Sequence, residues 1–144
     1  MPLLTTRVPS LQSSGPTIGV LVTISSVARM TLEARNQQVP QSVKKLMLID
    51  TGASASAIKV GIAKELNLTP HGTINIATAS HHNVVCATYD VDLVFQLHKV
   101  VVQNVRVFES NFEGQTIDGL IGRDILGQCI LIYTGYDNSF ILGF

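Results

Sequence analysis

The sequence feature that most constrains this chain is the segment LMLIDTGAS at residues 46–54, where an apolar run ends in a single acidic residue and a turn. The run predicts an apolar strand, and Asp50 follows it directly. A carboxylate beside an apolar strand must be hydrogen-bonded, paired or shifted in pKa, because burying it without compensation is costly. Asp50 is therefore a candidate functional residue.

The composition favours a single domain that has a partner subunit. The chain has 144 residues, of which 46% are hydrophobic and 14% charged, so it carries more apolar surface than a monomer of this size would hide. The net charge is zero and the ten Lys and Arg residues are scattered, which argues against nucleic acid as a partner. The N-terminus lacks a signal-peptide pattern and no apolar run is long enough to span a bilayer, so we expect a cytoplasmic protein with no membrane partner.

The cysteine and histidine residues leave one metal-binding alternative open. Cys86 and Cys129 are too few for a disulfide framework, and we predict reduced thiols. His81 and His82 lie close to Cys86 in sequence, which is the basis of the alternative. Neighbouring residues of a strand point to opposite faces and no fourth ligand is evident, so we predict an exposed histidine pair, with no metal and no cofactor.

Short extended segments separated by turn signals dominate the chain and predict an all-β barrel or sandwich. Residues 1–16 have no periodicity and are predicted to form an N-terminal arm of doubtful order, in front of a single domain over residues 17–144. One short helix is predicted within residues 60–66, and a polar tip at residues 79–83 predicts a hairpin. The predicted strands cover residues 17–24, 29–34, 43–49, 73–78, 84–95, 99–108, 130–133 and 140–144. Residues 118–126 are predicted to form a buried strand that turns into a short helix.

Two motifs of the sequence resemble those of a known family. The segment DTGAS at residues 50–54 resembles the catalytic signature of aspartic proteases. Because it occurs once, the resemblance is to the retropepsin-like branch, whose members are homodimers. The segment LIGRDIL at residues 120–126 is similar to the second motif of that family, an apolar-apolar-Gly sequence followed by a short helix that carries an arginine.

This resemblance implies a retropepsin-like acid protease barrel with one or two short helices, forming half of a C2 dimer. In such a dimer each chain supplies one Asp50, and the two carboxylates activate a water molecule that hydrolyses a peptide bond in a peptide or protein substrate. The chain is then an aspartic endopeptidase whose activity follows dimerisation.

The remaining residues of the two motifs and of the hairpin tip are expected to support this site. On the loop, Thr51 hydrogen-bonds across the dimer axis, Gly52 permits close approach, Ala53 leaves room for substrate, and Ser54 or Ser56 holds the loop. The resemblance implies a flap tip formed by Ala79, Ser80, His81 and His82. It also implies that Ile121 lies in the pocket wall and Gly122 under the catalytic pair, with structural roles for Arg123 and Asp124.

The chain departs from the retroviral pattern at two places. Ser54 stands where retroviral members have an Asp that pairs with the helix arginine, so Arg123 needs another partner. We expect backbone carbonyl groups or Asp118 to provide it. The hairpin tip, ASHHN at residues 79–83, contains no glycine, unlike the retroviral flap tips.

Several alternatives are open from the sequence. Asp-Thr-Gly by itself also fits an ordinary turn at the end of a strand. The alternative function is a non-catalytic dimerisation or peptide-binding module on the same fold. Asp90 and Asp92 are expected to be solvated, and the apolar segment at residues 140–144 is expected either in the core or in a sheet shared by the dimer.

Overall fold

The computed structural model describes residues 1–80 and 83–144, and short strands predominate in this part of the chain. The strands are β1 (Leu3–Arg7), β2 (Thr17–Ile24), β3 (Val43–Ile49), β4 (Ala57–Lys59), β5 (Gly72–Ile76), β6 (Val84–Phe95), β7 (Val100–Ser110), β8 (Gly119–Ile121), β9 (Ile130–Thr134) and β10 (Ser139–Gly143). The helices are α1 (Leu11–Ser14), α2 (Ser26–Ala34), α3 (Ile62–Glu65) and α4 (Arg123–Leu126), with 3₁₀ turns at Leu97–Lys99 and Gly135–Asp137. None of these helices is long and apolar enough to cross a membrane.

One sheet of the molecule closes into a barrel, which confirms the all-β prediction. Its strand order is β2-β3-β8-β4-β7-β6-β5, and β2 also pairs with β6, so β5 extends from a closed ring of the other strands. β3 pairs in parallel with β8, and β4 pairs in parallel with β7. A second sheet, in the order β1-β10-β9, brings together the two ends of the chain. Closure of the ring leaves fewer unpaired strand edges than an open sheet of the same strands would have.

The barrel is filled by apolar side chains that alternate along the strands. In β2, Val20, Val22 and Ile24 are at most 2% exposed, as the two-residue period of a strand predicts. Phe95, at the end of β6, packs against Phe144 with the ring centroids 4.8 Å apart. Burial of each large side chain contributes about 1.5–3 kcal/mol, so this core stabilises the platform on which the site is built.

The N-terminal residues are part of the packed structure, which differs from the arm of doubtful order predicted for residues 1–16. β1 pairs with β10 so that Leu4 lies opposite Leu142, and both side chains are fully buried. Leu11, in α1, is 2% exposed. Sequence analysis missed β1 because its partner strand lies at the other end of the chain, where no local pattern reveals the pairing.

The strands predicted over residues 130–133 and 140–144 are present and form a hairpin. β9 and β10 pair in antiparallel fashion, with Ser139 opposite Thr134. Phe140 and Leu142 are fully buried, so one face of this hairpin belongs to the core.

A helix replaces the strand that the sequence predicted over residues 29–34. α2 begins after Ser25, whose hydroxyl accepts a hydrogen bond from the Ala28 N–H at 3.2 Å. Ala28 and Leu32, four residues apart, both pack against the core. The prediction was wrong because it overlooked a serine cap followed by apolar residues at helical spacing.

Asp90 and Asp92 of β6, which were both expected to be solvated, have different environments. Asp92 is 5% exposed and accepts hydrogen bonds from the backbone N–H groups of Ser26 at 3.1 Å and Asn104 at 2.8 Å. It thus binds an N–H group at the start of α2 that the helix itself leaves unpaired, and the prediction is wrong for this residue. Asp90 is partly exposed and pairs with Arg106 at 3.0 Å.

Candidate active site

The turn that carries Asp50 is held by one backbone hydrogen bond to β8 and by another within the turn itself. The Asp50 N–H donates to the carbonyl oxygen of Ile121 at 2.9 Å, and the Ala53 N–H donates to the carbonyl oxygen of Asp50 at 3.2 Å. The Gly52 N–H donates to Asp50 Oδ1 at 2.8 Å. This hydrogen bond orients the carboxylate of Asp50. Because Asp50 is only half-buried, the carboxylate is also accessible from solvent.

Gly122 permits β8 and α4 to pass directly against residues 50–56, which we call the Asp50 loop. A Cβ atom at Gly122 would lie 2.7 Å from the carbonyl oxygen of Ala55 and 3.0 Å from that of Ala53. Real side chains do not approach a backbone so closely, so this contact requires glycine. Gly52 is less restricted, since a Cβ there would lie 3.1 Å from Asp50 Oδ1, a side-chain atom that needs to move by only a few tenths of an ångström.

A buried polar network links the Asp50 loop to α4. Ser56 is fully buried, and its hydroxyl donates to Asp124 Oδ1 at 2.8 Å and accepts from the Gly122 N–H at 3.0 Å. Asp124 Oδ2 accepts from the Ser56 N–H at 3.0 Å, and Asp124 Oδ1 also accepts from the Ile125 N–H at 3.0 Å. The sequence left open whether Ser54 or Ser56 holds the loop, and Ser56 makes the contact.

Arg123 reaches the same loop through its guanidinium group. Nη1 donates to the carbonyl oxygen of Thr51 at 2.8 Å, and the Arg123 N–H donates to that of Ala53 at 2.9 Å. A backbone carbonyl group is therefore the partner of the Arg123 side chain, which is one of the two partners expected from the sequence. Asp118 instead accepts a hydrogen bond from the Leu46 N–H at 2.9 Å. Because Arg123 is exposed, its charge stays hydrated and needs no acidic partner.

A cleft of about 810 Å³ opens beside Asp50. The predicted hairpin lines the cleft together with the Asp50 loop; its strands β5 and β6 pair with Ile76 opposite Val84. His81 and His82, which were expected at its tip, lie outside the described residues. The described lining residues are Asp50, Gly52, Ala53, Ser54, Ala55, Ile76, Ala77, Thr78, Ala79, Ser80, Val84, Cys86, Phe108, Ser110, Asn111, Phe112, Glu113, Gln115 and Leu120.

One pocket residue implied by the family resemblance lies on the other face of its strand. Ile121 was expected in the pocket wall, but it is fully buried in the core, and its neighbour Leu120 lines the cleft. Successive side chains of a strand point to opposite faces, so a shift of one residue reverses the assignment.

The charged lining residues of the cleft, among those described, are both acidic: Asp50 and Glu113. Cys86 also lines the cleft, and burial, followed by the negative charge of Glu109, raises the pKa of its thiol. Sequence analysis did not find Glu113 or Phe112, because their segment has no regular pattern and reaches the cleft only in the folded chain.

No metal cluster is formed by the residues that the structure describes. Within residues 1–80 and 83–144, no group of three or more His, Cys, Asp and Glu side chains is placed to hold a metal ion. Of the three residues in the metal-binding alternative, only Cys86 is among those described, so that alternative stays a hypothesis.

The closed barrel, the flap hairpin and the turn that carries Asp50 together define the fold of the retropepsin-like aspartic proteases. A solved structure of a retropepsin-like aspartic protease from Rickettsia conorii shares this fold, with a TM-score of 0.54 and 14% sequence identity over 99% of this chain and 93% of that chain. The aspartyl protease family model matches residues 36–125, more than half of the chain, and the chain belongs to this family. The search of curated proteins found no match.

Proposed function

We propose that this chain is an aspartic endopeptidase that acts as a homodimer, with one Asp50 from each subunit forming the catalytic pair. The observation that carries the proposal is the position of Asp50. Its carboxylate is oriented by the Gly52 N–H and borders a cleft that the flap hairpin also lines. A peptide in this cleft is within reach of both the acid and the flap residues.

The proposed chemistry needs two carboxyl groups that share one proton. The ionised group accepts a proton from water as the water oxygen attacks the scissile carbonyl carbon, and the protonated group donates its proton to the carbonyl oxygen. The tetrahedral intermediate then collapses and the C–N bond breaks, while the leaving nitrogen takes a proton from the pair. A hydroxyl group of the intermediate returns a proton to the pair as the C=O bond forms again, so the pair ends with one shared proton. No covalent enzyme intermediate is formed in this scheme.

A second subunit is proposed because one chain supplies one Asp50. Thr51 and Gly52 beside it are exposed, so the same loop of a partner has room to approach around a twofold axis. The outer face of the β1-β10-β9 sheet also supports a partner, because it leaves large apolar side chains about half exposed. These are Leu3 (49%), Ile130 (47%) and Ile132 (48%).

Cleavage of a peptide library by the wild type and by Asp50→Asn tests the catalytic role. We expect the wild type to cleave peptides at mildly acidic to neutral pH and Asp50→Asn to be slower by about 10²–10⁴-fold. Glu33→Gln is the control, since it removes an exposed carboxylate of α2 outside the cleft and should keep the wild-type rate. Equal cleavage by Asp50→Asn contradicts the catalytic role of Asp50. No cleavage by a well-formed wild-type dimer contradicts the proposal and favours the non-catalytic module.

Mixing the two proteins tests whether the subunits share the site. A heterodimer of wild type and Asp50→Asn has one acid only, so a large excess of the variant should nearly abolish the activity of a fixed amount of wild type. Sedimentation at the assay concentration reports whether dimers are present. Wild-type activity that persists in the presence of heterodimers rules out a shared pair.

A further inference from the structure

Glu113 brings a negative charge to the cleft that the proposed chemistry does not use. No described Lys, Arg or His lines the cleft. None of the ion pairs formed within residues 1–80 and 83–144 includes Glu113. Its described polar contact is with Asn111 Nδ2, at 3.5 Å from Glu113 Oε2. Among the described residues, the carboxylate therefore has no cationic partner and meets a bound substrate as a negative charge.

A tight turn holds Glu113 at the cleft. The Gln115 N–H donates to the carbonyl oxygen of Phe112 at 3.0 Å, and Gly114 has φ of 75°. This is the arrangement of a type II turn with Glu113 at its second position. Phe112 is 6% exposed and packs in a small apolar cluster with Phe108, so it anchors the turn to the barrel. The position of Glu113 is thus set by buried structure, although its side chain is exposed.

The negative charge of Glu109 reaches one group of the cleft wall, the thiol of Cys86. Burial raises the pKa of Cys86 in the cleft wall, and the negative charge of Glu109 raises it further by a smaller amount. Glu109 itself does not line the cleft and accepts a hydrogen bond from the Gly61 N–H at 3.2 Å. The apolar lining residues Phe108, Phe112 and Leu120 reduce solvent screening around a bound substrate.

We propose that Glu113 selects substrates that carry a Lys or Arg side chain within a few residues of the scissile bond. This inference rests on the proposed peptidase function. An ammonium or guanidinium group gains a charge-assisted hydrogen bond to the carboxylate, whereas an acidic side chain is repelled. In a homodimer Glu113 occurs twice around the twofold axis, so a basic residue is favoured on both sides of the bond.

The test compares peptides that differ at one position. Lys, norleucine and Glu are placed in turn at each of the positions around a bond that the wild type cleaves, and kcat/KM is measured. Because the carboxylate is exposed, we expect Lys to be favoured over norleucine by about two- to fivefold where it meets Glu113, and Glu to be disfavoured. The preference should shrink at high salt.

Variants of Glu113 decide whether this residue is the cause. Glu113→Gln should bring the Lys-to-norleucine ratio close to one, and Glu113→Lys should reverse the preference in favour of Glu. The matched control is Glu33→Gln, which removes an exposed acid of α2 outside the cleft and should keep the wild-type ratio. A wild-type ratio of one at every position, or a ratio that Glu113→Gln leaves unchanged, overturns the proposal.

Binding measurements separate this proposal from failure of the proposed function. Fluorescence anisotropy gives the affinity of the same labelled peptides for Asp50→Asn and for the double variant Asp50→Asn/Glu113→Gln. A Lys preference that disappears in the double variant supports the role of Glu113 even if the wild type cleaves no peptide. Equal affinities for the Lys and norleucine peptides, or no binding of any peptide, overturn it.

Discussion

Replacing Ser56 by alanine removes the link between the Asp50 loop and α4. The hydroxyl donates to Asp124 Oδ1 and accepts from the buried Gly122 N–H. Loss of the first bond costs about 1–2 kcal/mol, because Asp124 is exposed and rebinds water. The Gly122 N–H is then left buried without an acceptor, at a further cost of about 1–2 kcal/mol. We therefore expect Ser56→Ala to lower the free energy of unfolding by about 2–4 kcal/mol.

Urea denaturation followed by far-UV circular dichroism measures this loss. The chain has no Trp, so the backbone signal is the suitable probe. Wild type and variant are compared at one protein concentration, since association makes stability depend on concentration. In a thermal scan, a loss of about 3 kcal/mol should lower the midpoint by roughly 6–12 °C. The control is Ser54→Ala, which removes an exposed hydroxyl of the same loop and should change stability by less than about 0.5 kcal/mol.

A loss below about 1 kcal/mol in Ser56→Ala would refute the reasoning. A double-mutant cycle with Asp124→Asn adds a second criterion. Because Ser56 and Asp124 share one network, we expect a coupling energy of at least about 0.5 kcal/mol. Purely additive effects would mean that the two residues do not act together.

Two further predictions concern the packing of the site and the chemistry of its cleft. A Cβ at Gly122 would lie 2.7 Å from a backbone carbonyl oxygen, so Gly122→Ala should lower the free energy of unfolding by about 3 kcal/mol or more, as measured in thermal melts. The control is Gly72→Ala, which should have much less effect because a Cβ at Gly72 would lie 3.8 Å from the nearest atom. Burial, and to a smaller extent the charge of Glu109, raises the pKa of the Cys86 thiol and so lowers its thiolate fraction at pH 8. Glu109→Gln should therefore speed the alkylation of Cys86 by iodoacetamide, with the reaction monitored by mass spectrometry. The pKa of Cys129 is raised by burial alone, so its rate should not change, and acceleration of both thiols or of neither contradicts the electrostatic explanation.

Local sequence patterns predicted several elements on which the site depends. The apolar run before Asp50 forms β3, and the polar segment between two extended stretches joins the flap hairpin. Turn preferences and the alternation of strand residues act over a few neighbouring positions, so both features are visible in the sequence. α2 was predictable by the same means, since Ser25 and the spacing of Ala28 and Leu32 are local signals of a helix.

Contacts between distant segments were not predictable from such patterns. Leu4 lies opposite Leu142, and Ser56 meets Asp124, only because the barrel and the terminal sheet bring separate parts of the chain together. The face that each strand turns to the cleft is set in the same way. Leu120 rather than its neighbour lines the cleft, because β3 and β4 fix the register of β8.

The sequence by itself determined that one acid stands at the end of an apolar strand, in a turn that only a small set of residues permits. Strand period and turn chemistry are local, so a single chain segment specifies them. The tertiary structure decided that Asp50 borders a cleft, that the flap hairpin lines the same cleft, and that Glu113 adds a negative charge to it. Those relations depend on closure and packing of the whole barrel, to which segments far apart in the sequence contribute together.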